Sequence, residues 1–221
     1  ITWEFHPISI EWVSIEHNID TYFFLRDLGI ITGDTRYSIA AQRVQEGMLS
    51  QMWDDEKGRF NQGLSPSGEP DPVNALDAAS WGAIFLLAVD ENEKAQRSLK
   101  FAQQNFYNFA DGLWGYKPYA GEVEGVDWDN ENMVWSEGSL GVAMAYLKLG
   151  GTVNQNWIGH ILVEMTKLQS RDPSGGLMYA VQEGDNFSDF PKAPAVAGTA
   201  WFVMNMRAWY DTGMRDVFWG P

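Results

Sequence analysis

The sequence contains no cysteine, which excludes disulfides, thiolate zinc sites and cysteine nucleophiles. Basic residues are also scarce: 15 Lys and Arg stand against 30 Asp and Glu, giving a formal net charge of −15. Such a charge repels nucleic acid phosphates and anionic lipid surfaces, so neither is expected as a partner. No run of about 18 apolar residues is present, so no transmembrane helix is predicted. The absence of cysteine fits export and cytosol equally, so it leaves the compartment open.

The sequence also lacks an initiator Met and a basic-then-apolar leader, since it opens on ITWEF. We therefore expect residues 1–221 to be a single domain of a longer protein. Apolar residues make up 45% of the chain, enough to build a packed core. The composition is unusual in its 11 tryptophans, about four times the ordinary usage.

Four apolar segments recur about every sixty residues. Their small or polar central residues, Asp20, Ser80, Ser139 and Thr199, follow one another at intervals of 60, 59 and 60. Apolar side chains cover most faces of each segment, which predicts four buried helices. The four segments are 16–29, 76–89, 135–150 and 194–209.

Amphipathic segments alternate with the buried ones and predict three surface helices, at 34–53, 91–108 and 154–170. The links from a surface helix to the next buried helix are long, roughly 54–73, 109–133 and 171–193. Because successive helices reverse direction, the long loops and the N-termini of the buried helices should share one face. We expect function on that face, since loops on a rigid scaffold commonly carry it.

Alternating inner and outer helices with this repeat length resemble the (α/α) toroid of the six-hairpin glycosidases. Four motifs look like those of large exported bacterial proteins with a glucoamylase-like or uncharacterised toroid domain: SIEHNID (14–20), LDAASWGAIFL (76–86), VWSEGSLGVAMAY (134–146) and VAGTAWFVM (196–204). The resemblance implies an all-α fold, an incomplete toroid of about seven helices where a complete one has twelve. Long loops and short β pieces should lie on one face. It also implies an extracytoplasmic bacterial location and a sugar-binding funnel at the inner-helix N-termini, flanked by acidic catalysts and aromatic platforms.

Acidic residues stand at three of the predicted buried-helix entrances: Glu16, Asp20, Asp77 and Glu137. We predict Glu137 as a proton donor, with Asp20 or Glu16 as its partner. The resemblance implies an inverting reaction, which requires the two carboxyl groups to lie about 6.5–9.5 Å apart. Asp20 should be buried one turn into an apolar helix, so its charge would need compensation there.

Structural interpretations of the same acids remain open. Glu137 could simply be stabilised by the positive end of a helix dipole. Asp20 could anchor a neighbouring loop through a hydrogen bond. Asn74 and Asp77 have the spacing of a capping box, with Asp77 in place of the usual Glu.

Aromatic residues near these acids suit a neutral sugar, which offers apolar ring faces and hydroxyl groups. The long loops carry few basic residues, which favours neutral glycans over polyuronates. The alternatives are a loop held in place by its aromatic side chains and a hydrogen-bonded structural histidine. The predicted substrate-binding residues are Trp135, Trp128, Trp81, His17, Asn18, Trp114 and Tyr179.

The spacing of Asp127, Asp129 and Glu131 suggests a calcium site, but the turn glycine of an EF-hand is missing. We therefore predict no metal and no cofactor. Isoprenoid cyclases and prenyltransferases, which are also α-toroids, need either an aspartate-rich metal motif with diphosphate-binding basic residues or a Cys/His zinc site. Only 127–131 resembles the first, and the absence of cysteine excludes zinc bound by thiolates.

The sequence thus predicts a glycoside hydrolase that acts on a neutral oligo- or polysaccharide through paired carboxylates. The alternative is a non-catalytic glycan-binding or structural module built on a partial toroid. An incomplete toroid exposes the flanks of its inner helices, and exposed apolar surface normally finds cover. The expected cover is an upstream segment of the same protein or a second copy of this chain.

Overall fold

Seven α-helices dominate the computed structural model, which describes residues 10–182 and 189–220. The opening residues ITWEF lie outside the described residues. The predicted alternation of four inner and three outer helices is confirmed. No helix among the described residues combines the length and apolarity needed to cross a bilayer. The helices are α1 (Ile15–Thr32), α2 (Thr35–Gly47, continued by a π-helical turn at Met48–Met52), α3 (Leu76–Ala88), α4 (Asn92–Asn105), α5 (Ser136–Leu149), α6 (Thr152–Gln169) and α7 (Val196–Tyr210).

The inner helices α1, α3, α5 and α7 pack side by side and run in the same direction. Leu76 at the start of α3 lies against Gly138 at the start of α5, where a Cβ atom would come within 2.6 Å of the leucine. Ser136 at the start of α5 meets Gly198 at the start of α7 in the same way. The outer helices run between them, with α4 against α3 and α5, and α6 against α5 and α7. All four inner helices therefore begin at one end, in an incomplete (α/α) toroid.

Twelve short strands among the described residues form six antiparallel pairs, mostly in the long loops. Three pairs are β1–β4, β5–β8 and β11–β12. Each of these joins the strand before one inner helix to a strand in the loop before the next, so the loops form a continuous rim. The other pairs are β2–β3, β6–β7 and β9–β10. The strands are β1 (Val13–Ser14), β2 (Trp53–Asp54), β3 (Arg59–Phe60), β4 (Gly63–Leu64), β5 (Asn74–Ala75), β6 (Tyr107–Ala110), β7 (Leu113–Tyr116), β8 (Tyr119–Ala120), β9 (Glu122–Val123), β10 (Val126–Asp127), β11 (Met133–Trp135) and β12 (Ala180–Gln182).

Two of the four aligned repeat centres have the same structural role. The Ser139 hydroxyl donates to the carbonyl of Trp135, which precedes α5, and accepts a 2.9 Å hydrogen bond from the Tyr116 amide. The Thr199 hydroxyl has the same role at α7, accepting a 3.0 Å bond from the Leu177 amide. Each hydroxyl therefore fastens the rim loop to the inner helix that follows it.

Helix α1 is less buried than the sequence indicates. Phe24 is 65% exposed, and Ile30 and Ile31 at the far end of the helix are exposed as well. Helix α1 packs against α2 and α3, whereas α3 has an inner neighbour on each side. Helix α1 therefore lies at the edge of the arc formed by the four inner helices, and part of its apolar surface is exposed. The predicted upstream segment or second copy, which could cover this edge, stays a prediction.

The segment 211–220 covers part of the inner-helix surface. Trp219 stacks on Phe23 of α1 with ring centroids 4.9 Å apart, and meets Trp81 of α3 edge-on at 5.5 Å. The Lys148 side chain of α5 donates a 2.6 Å hydrogen bond to the Arg215 carbonyl. The chain thus supplies some of the cover for its own inner helices.

Replacing Trp219 with Ala should lower the free energy of unfolding by about 1–3 kcal/mol, because the indole joins α1 to α3. Urea denaturation followed by circular dichroism measures the change. Val217→Ala, an exposed position in the same segment, serves as control and should change stability by about 0.5 kcal/mol or less. Equal effects of the two variants would show that the segment does not hold the arc together.

Candidate active site

A cavity of about 560 Å³ lies where α1, α3 and α5 begin and the rim loops converge. The inner helices supply one part of its wall, and residues 118–119, 179 and 189–190 of the loops supply another. The described residues that line it are Trp12, Ser14, Ile15, Glu16, His17, Gln62, Ala75, Asp77, Ala78, Trp81, Pro118, Tyr119, Trp135, Glu137, Tyr179, Asp189 and Phe190.

Three carboxyl groups occupy equivalent places in this wall. Glu16, Asp77 and Glu137 are each the second residue of their inner helix. Because the helices start at one end and run in parallel, the repeat brings acids about sixty residues apart in sequence into one cavity. Ala197 occupies the corresponding place in α7, which therefore adds no acid.

The capping interpretation of Asp77 is wrong. Helix α3 begins after Ala75, whose side chain makes no capping hydrogen bond. Asn74 belongs to β5, and its side-chain oxygen accepts a 2.6 Å hydrogen bond from the buried Arg59 guanidinium. Asp77 instead lines the cavity. Its Oδ1 atom is shielded from solvent and has no hydrogen-bond donor among the described residues.

Burial and neighbouring charges raise the pKa values of the three acids to different extents. Burial raises the pKa of Asp77 well above its usual range, and the charges of Glu16 and Glu137 raise it further. Burial also raises the pKa of Glu137, while the hydroxyl of Tyr179 opposes that rise. Burial raises the pKa of Glu16, and His17 opposes it. The proton is therefore held most strongly on Asp77, which can donate it, while its neighbours ionise first.

Aromatic side chains form much of the remaining wall. Trp81, Trp135 and Tyr179 all line the cavity. Burial and the nearby Glu137 carboxylate raise the pKa of Tyr179 to about 12, so its hydroxyl stays protonated and can donate. Trp128 lies one layer behind, buried against the lining residue Tyr119 with ring centroids 5.3 Å apart. It can support the wall but does not border the cavity.

Besides Trp128, three of the predicted site residues lie outside the cavity. Asp20 is exposed, so the expectation of a buried charge there is wrong, because α1 is the edge helix. The Asn18 side chain donates a 2.7 Å hydrogen bond to the Ser14 carbonyl one turn earlier. Trp114 lies on the β6–β7 hairpin beside α6, stacked on Tyr107 at 5.2 Å. Of the polar residues predicted on α1, Glu16 and the exposed His17 border the cavity.

Several lining residues were not predicted from the sequence, among them Trp12, Gln62, Asp189 and Phe190. Trp12 precedes α1 and Gln62 lies in the loop after α2, and the β1–β4 pairing brings them together. Two-residue strands carry too little alternation to be recognised in a sequence.

In the acidic loop 127–131, the carboxylates of Asp127 and Asp129 accept hydrogen bonds from nearby protein groups. Asp127 accepts hydrogen bonds from the Asp129 amide and the Asn130 side chain. Asp129 accepts from the Gly121 amide and the Lys117 ammonium, and the Gly121 bond is the main reason that its pKa is lowered. Within the described part of the chain, no group of three His, Asp or Glu side chains could hold a metal ion.

No protein-family model matches the sequence, and a search of curated proteins gives no match either. Solved structures do resemble the fold. A possible member of the GH105 family from Salmonella enterica shares 14% identity and a TM-score of 0.64 over 94% of this chain and 58% of its own. Cellobiose 2-epimerase from Bacillus thermoamylovorans shares 11% identity and a TM-score of 0.67, over 92% and 59%.

An unsaturated glucuronyl hydrolase from Bacillus sp. GL1 shares 16% identity and a TM-score of 0.62, over 95% of this chain and 61% of its own. The chain thus spans less than two thirds of the length of these structures. At such identities the likeness concerns the fold alone, and it confirms the predicted (α/α) toroid.

Proposed function

We propose that this cavity is the active site of a glycoside hydrolase that acts on a neutral glycan. The observation that carries the proposal is the trio of Glu16, Asp77 and Glu137, brought from three repeats to one wall with Asp77 holding its proton most strongly. The solved structures with this fold include a glucuronyl hydrolase and a cellobiose 2-epimerase, and both names refer to sugars. That supports a carbohydrate ligand for the cavity.

The chemistry needs one protonated acid and one ionised base. Asp77 is the proposed acid: it gives its proton to the glycosidic oxygen as the bond from C1 to that oxygen breaks. Glu137 is the proposed base: it takes a proton from the water whose oxygen forms the new bond to C1. One water is consumed, and a later proton exchange between solvent and the two carboxyl groups resets the site.

This assignment reverses the roles expected from the sequence, where Glu137 was the proton donor. Burial raises the pKa of both residues, but Asp77 has two acidic neighbours that raise its pKa further, whereas the Tyr179 hydroxyl stabilises ionised Glu137. Glu16 shares the cavity and is the second candidate for the base. Asp20, exposed and outside the cavity, is a weaker candidate than either.

The charges around the cavity favour an uncharged substrate. Three of its lining residues carry carboxyl groups from the inner helices, whereas the described lining includes neither Lys nor Arg. A uronate would bring a further negative charge beside ionised Glu137 and Glu16, where repulsion opposes binding. A neutral pyranose has no such cost, and its ring can lie against the aromatic wall.

The experiment is an assay of reducing ends released from a panel of neutral oligosaccharides, with wild type and Glu137→Gln compared. Turnover should fall roughly 100-fold in the variant, at the low end for a general base because Glu16 lies in the same cavity. Circular dichroism checks that both proteins fold alike. Unchanged turnover would remove Glu137 from the reaction. Binding without turnover in both proteins would instead support the non-catalytic glycan-binding module.

A further inference from the structure

One wall of the cavity comes from the segment before α1 and the loop after α2. Val13 pairs with Leu64 and Ser14 with Gly63, and the Ile15 amide donates a 3.0 Å hydrogen bond to the Gln62 carbonyl. These backbone bonds fix Trp12 and Gln62 in neighbouring places on this wall. The wall adjoins Glu16 at the start of α1, so whatever lies against it also meets the carboxyl cluster.

Trp12 presents an aromatic surface to the cavity. The residue is 37% exposed and borders the cavity. Gly63 makes this position possible, because a Cβ atom there would lie 2.2 Å from Cζ2 of the indole. One side of the ring is thus held against the backbone of β4, while part of its surface is left for another group.

Gln62 presents a hydrogen-bond acceptor that the described protein leaves unused. Its Oε1 atom is shielded from bulk solvent, and no donor among the described residues reaches it. A shielded carbonyl oxygen without a donor is unfavourable, and native proteins seldom retain one without a reason. Gln62 lines the cavity, so a turn of its amide toward the cavity lets a ligand hydroxyl reach Oε1 and remove the cost.

We propose that Trp12 and Gln62 form a sugar-binding subsite in which an uncharged pyranose stacks on the Trp12 indole and donates a hydroxyl hydrogen to Gln62 Oε1. The subsite rests on the proposed function and extends it, because it adds two specificity-determining residues to the carboxyl cluster. A carboxylate in place of the hydroxyl would have no hydrogen to donate and would face Glu16. The pair therefore selects neutral sugars.

The test uses the whole 221-residue chain and three neutral probes: maltotriose, cellotriose and laminaritriose. Calorimetric titration gives the dissociation constant, and the reducing-end assay gives KM and kcat. For the trisaccharide that wild type binds most tightly, Trp12→Ala should raise the dissociation constant roughly tenfold or more. Gln62→Met, which keeps the side-chain length but removes the acceptor, should raise it about 3- to 10-fold.

Two further variants provide the controls. Trp12→Phe keeps an aromatic platform and should retain most of the affinity. Phe109→Ala removes an aromatic side chain that is 40% exposed, close to the exposure of Trp12, but lies outside the cavity. Its dissociation constant should stay within about twofold of wild type. Since the subsite binds rather than reacts, KM should rise in the Trp12 and Gln62 variants with little change in kcat.

The outcomes separate the two proposals. If wild type binds or cleaves a probe and Trp12→Ala and Gln62→Met behave like Phe109→Ala, the subsite is refuted while the hydrolase proposal stands. If both variants weaken binding but wild type does not cleave, the subsite stands and hydrolysis is refuted. If wild type binds none of the three probes, both proposals fail.

Discussion

Replacing Asp77 with Asn is expected to lower the rate of glycoside hydrolysis by about 10³–10⁴-fold, the upper range for loss of a general acid. Asparagine has nearly the same shape, but it cannot donate an acidic proton to the leaving oxygen. Among the other carboxyl groups of the lining, Glu16 and Glu137 ionise before Asp77, and Asp189 belongs to the loop wall rather than to a helix start, so none occupies the place of the proton donor. Steady-state kinetics on the best neutral oligosaccharide measure the effect, mainly in kcat.

The same substitution should make the folded protein more stable at neutral pH, a result independent of any reaction. Folding raises the pKa of Asp77, so the folded state binds its proton more strongly than the unfolded state. The resulting stabilisation is fully present below the unfolded pKa and is lost as pH rises through the folded pKa. At pH 7–8 the folded protein has therefore lost stability because of the raised pKa of Asp77, and Asp77→Asn removes that cost. The Tm of the variant should exceed that of wild type at pH 7–8, and the difference should shrink toward pH 4.

Asp129→Asn is a control of opposite sign. Hydrogen bonds from Gly121 and Lys117 lower the pKa of Asp129, so its contribution to stability is present above the unfolded pKa and is lost as pH falls. This variant should have a lower Tm than wild type at pH 7, and the difference should shrink in acid. Should Asp77→Asn keep full turnover, Asp77 is not the proton donor; should its Tm fall at pH 7–8, the raised pKa is refuted.

The alternation of helices could be read from the sequence because local pattern determines it. The segment 76–89 is apolar on nearly every face, and α3 is buried nearly throughout. The segment 91–108 has a single apolar stripe, and in α4 Ala95, Leu99 and Ala102 are the buried apolar residues. The spacing of apolar residues along a helix shows directly whether all of its faces or a single stripe will be buried.

The site was only partly predictable because it depends on distant pairings. Glu16, Asp77 and Glu137 could be grouped, since parallel inner helices bring their first turns together. Trp12 and Gln62 depend on the register of β1 against β4, two strands of two residues each. Neither strand carries a periodic signal, so the wall they build is visible only in the folded chain.

Asp20 shows a second limit. Its helix has the apolar composition of a buried one, and the sequence places an acid one turn inside it. In the structure the residue is exposed because α1 is the edge of the arc. Composition reports how much apolar surface a helix carries, but not which neighbours cover it. The carboxyl group that is most perturbed by burial is instead Asp77, on a helix with an inner neighbour on each side.

Replacing Phe85 with Ala should lower the free energy of unfolding by about 3–5 kcal/mol. The side chain is fully buried on α3, where three other aromatic rings surround it. Its ring centroid lies 5.0 Å from that of Tyr22, 5.9 Å from Phe60 and 6.5 Å from Phe23. Truncation therefore leaves a cavity where α1, α3 and the rim meet. Urea denaturation measures the loss, which is a large share of the 5–15 kcal/mol that typically stabilises a domain.

Phe24→Ala is the matched control, since it removes the same side chain from the inner helix at the edge of the arc. Phe24 is 65% exposed, so its loss should change stability by only about 0.5 kcal/mol. The sequence makes no distinction between these two phenylalanines, because both lie in segments that are apolar on most faces. A similar loss in both variants would mean that the exposed side of α1 is covered in solution, as the predicted upstream segment or second copy requires. A large loss in Phe85→Ala alone would establish α3 as the centre of the packed arc.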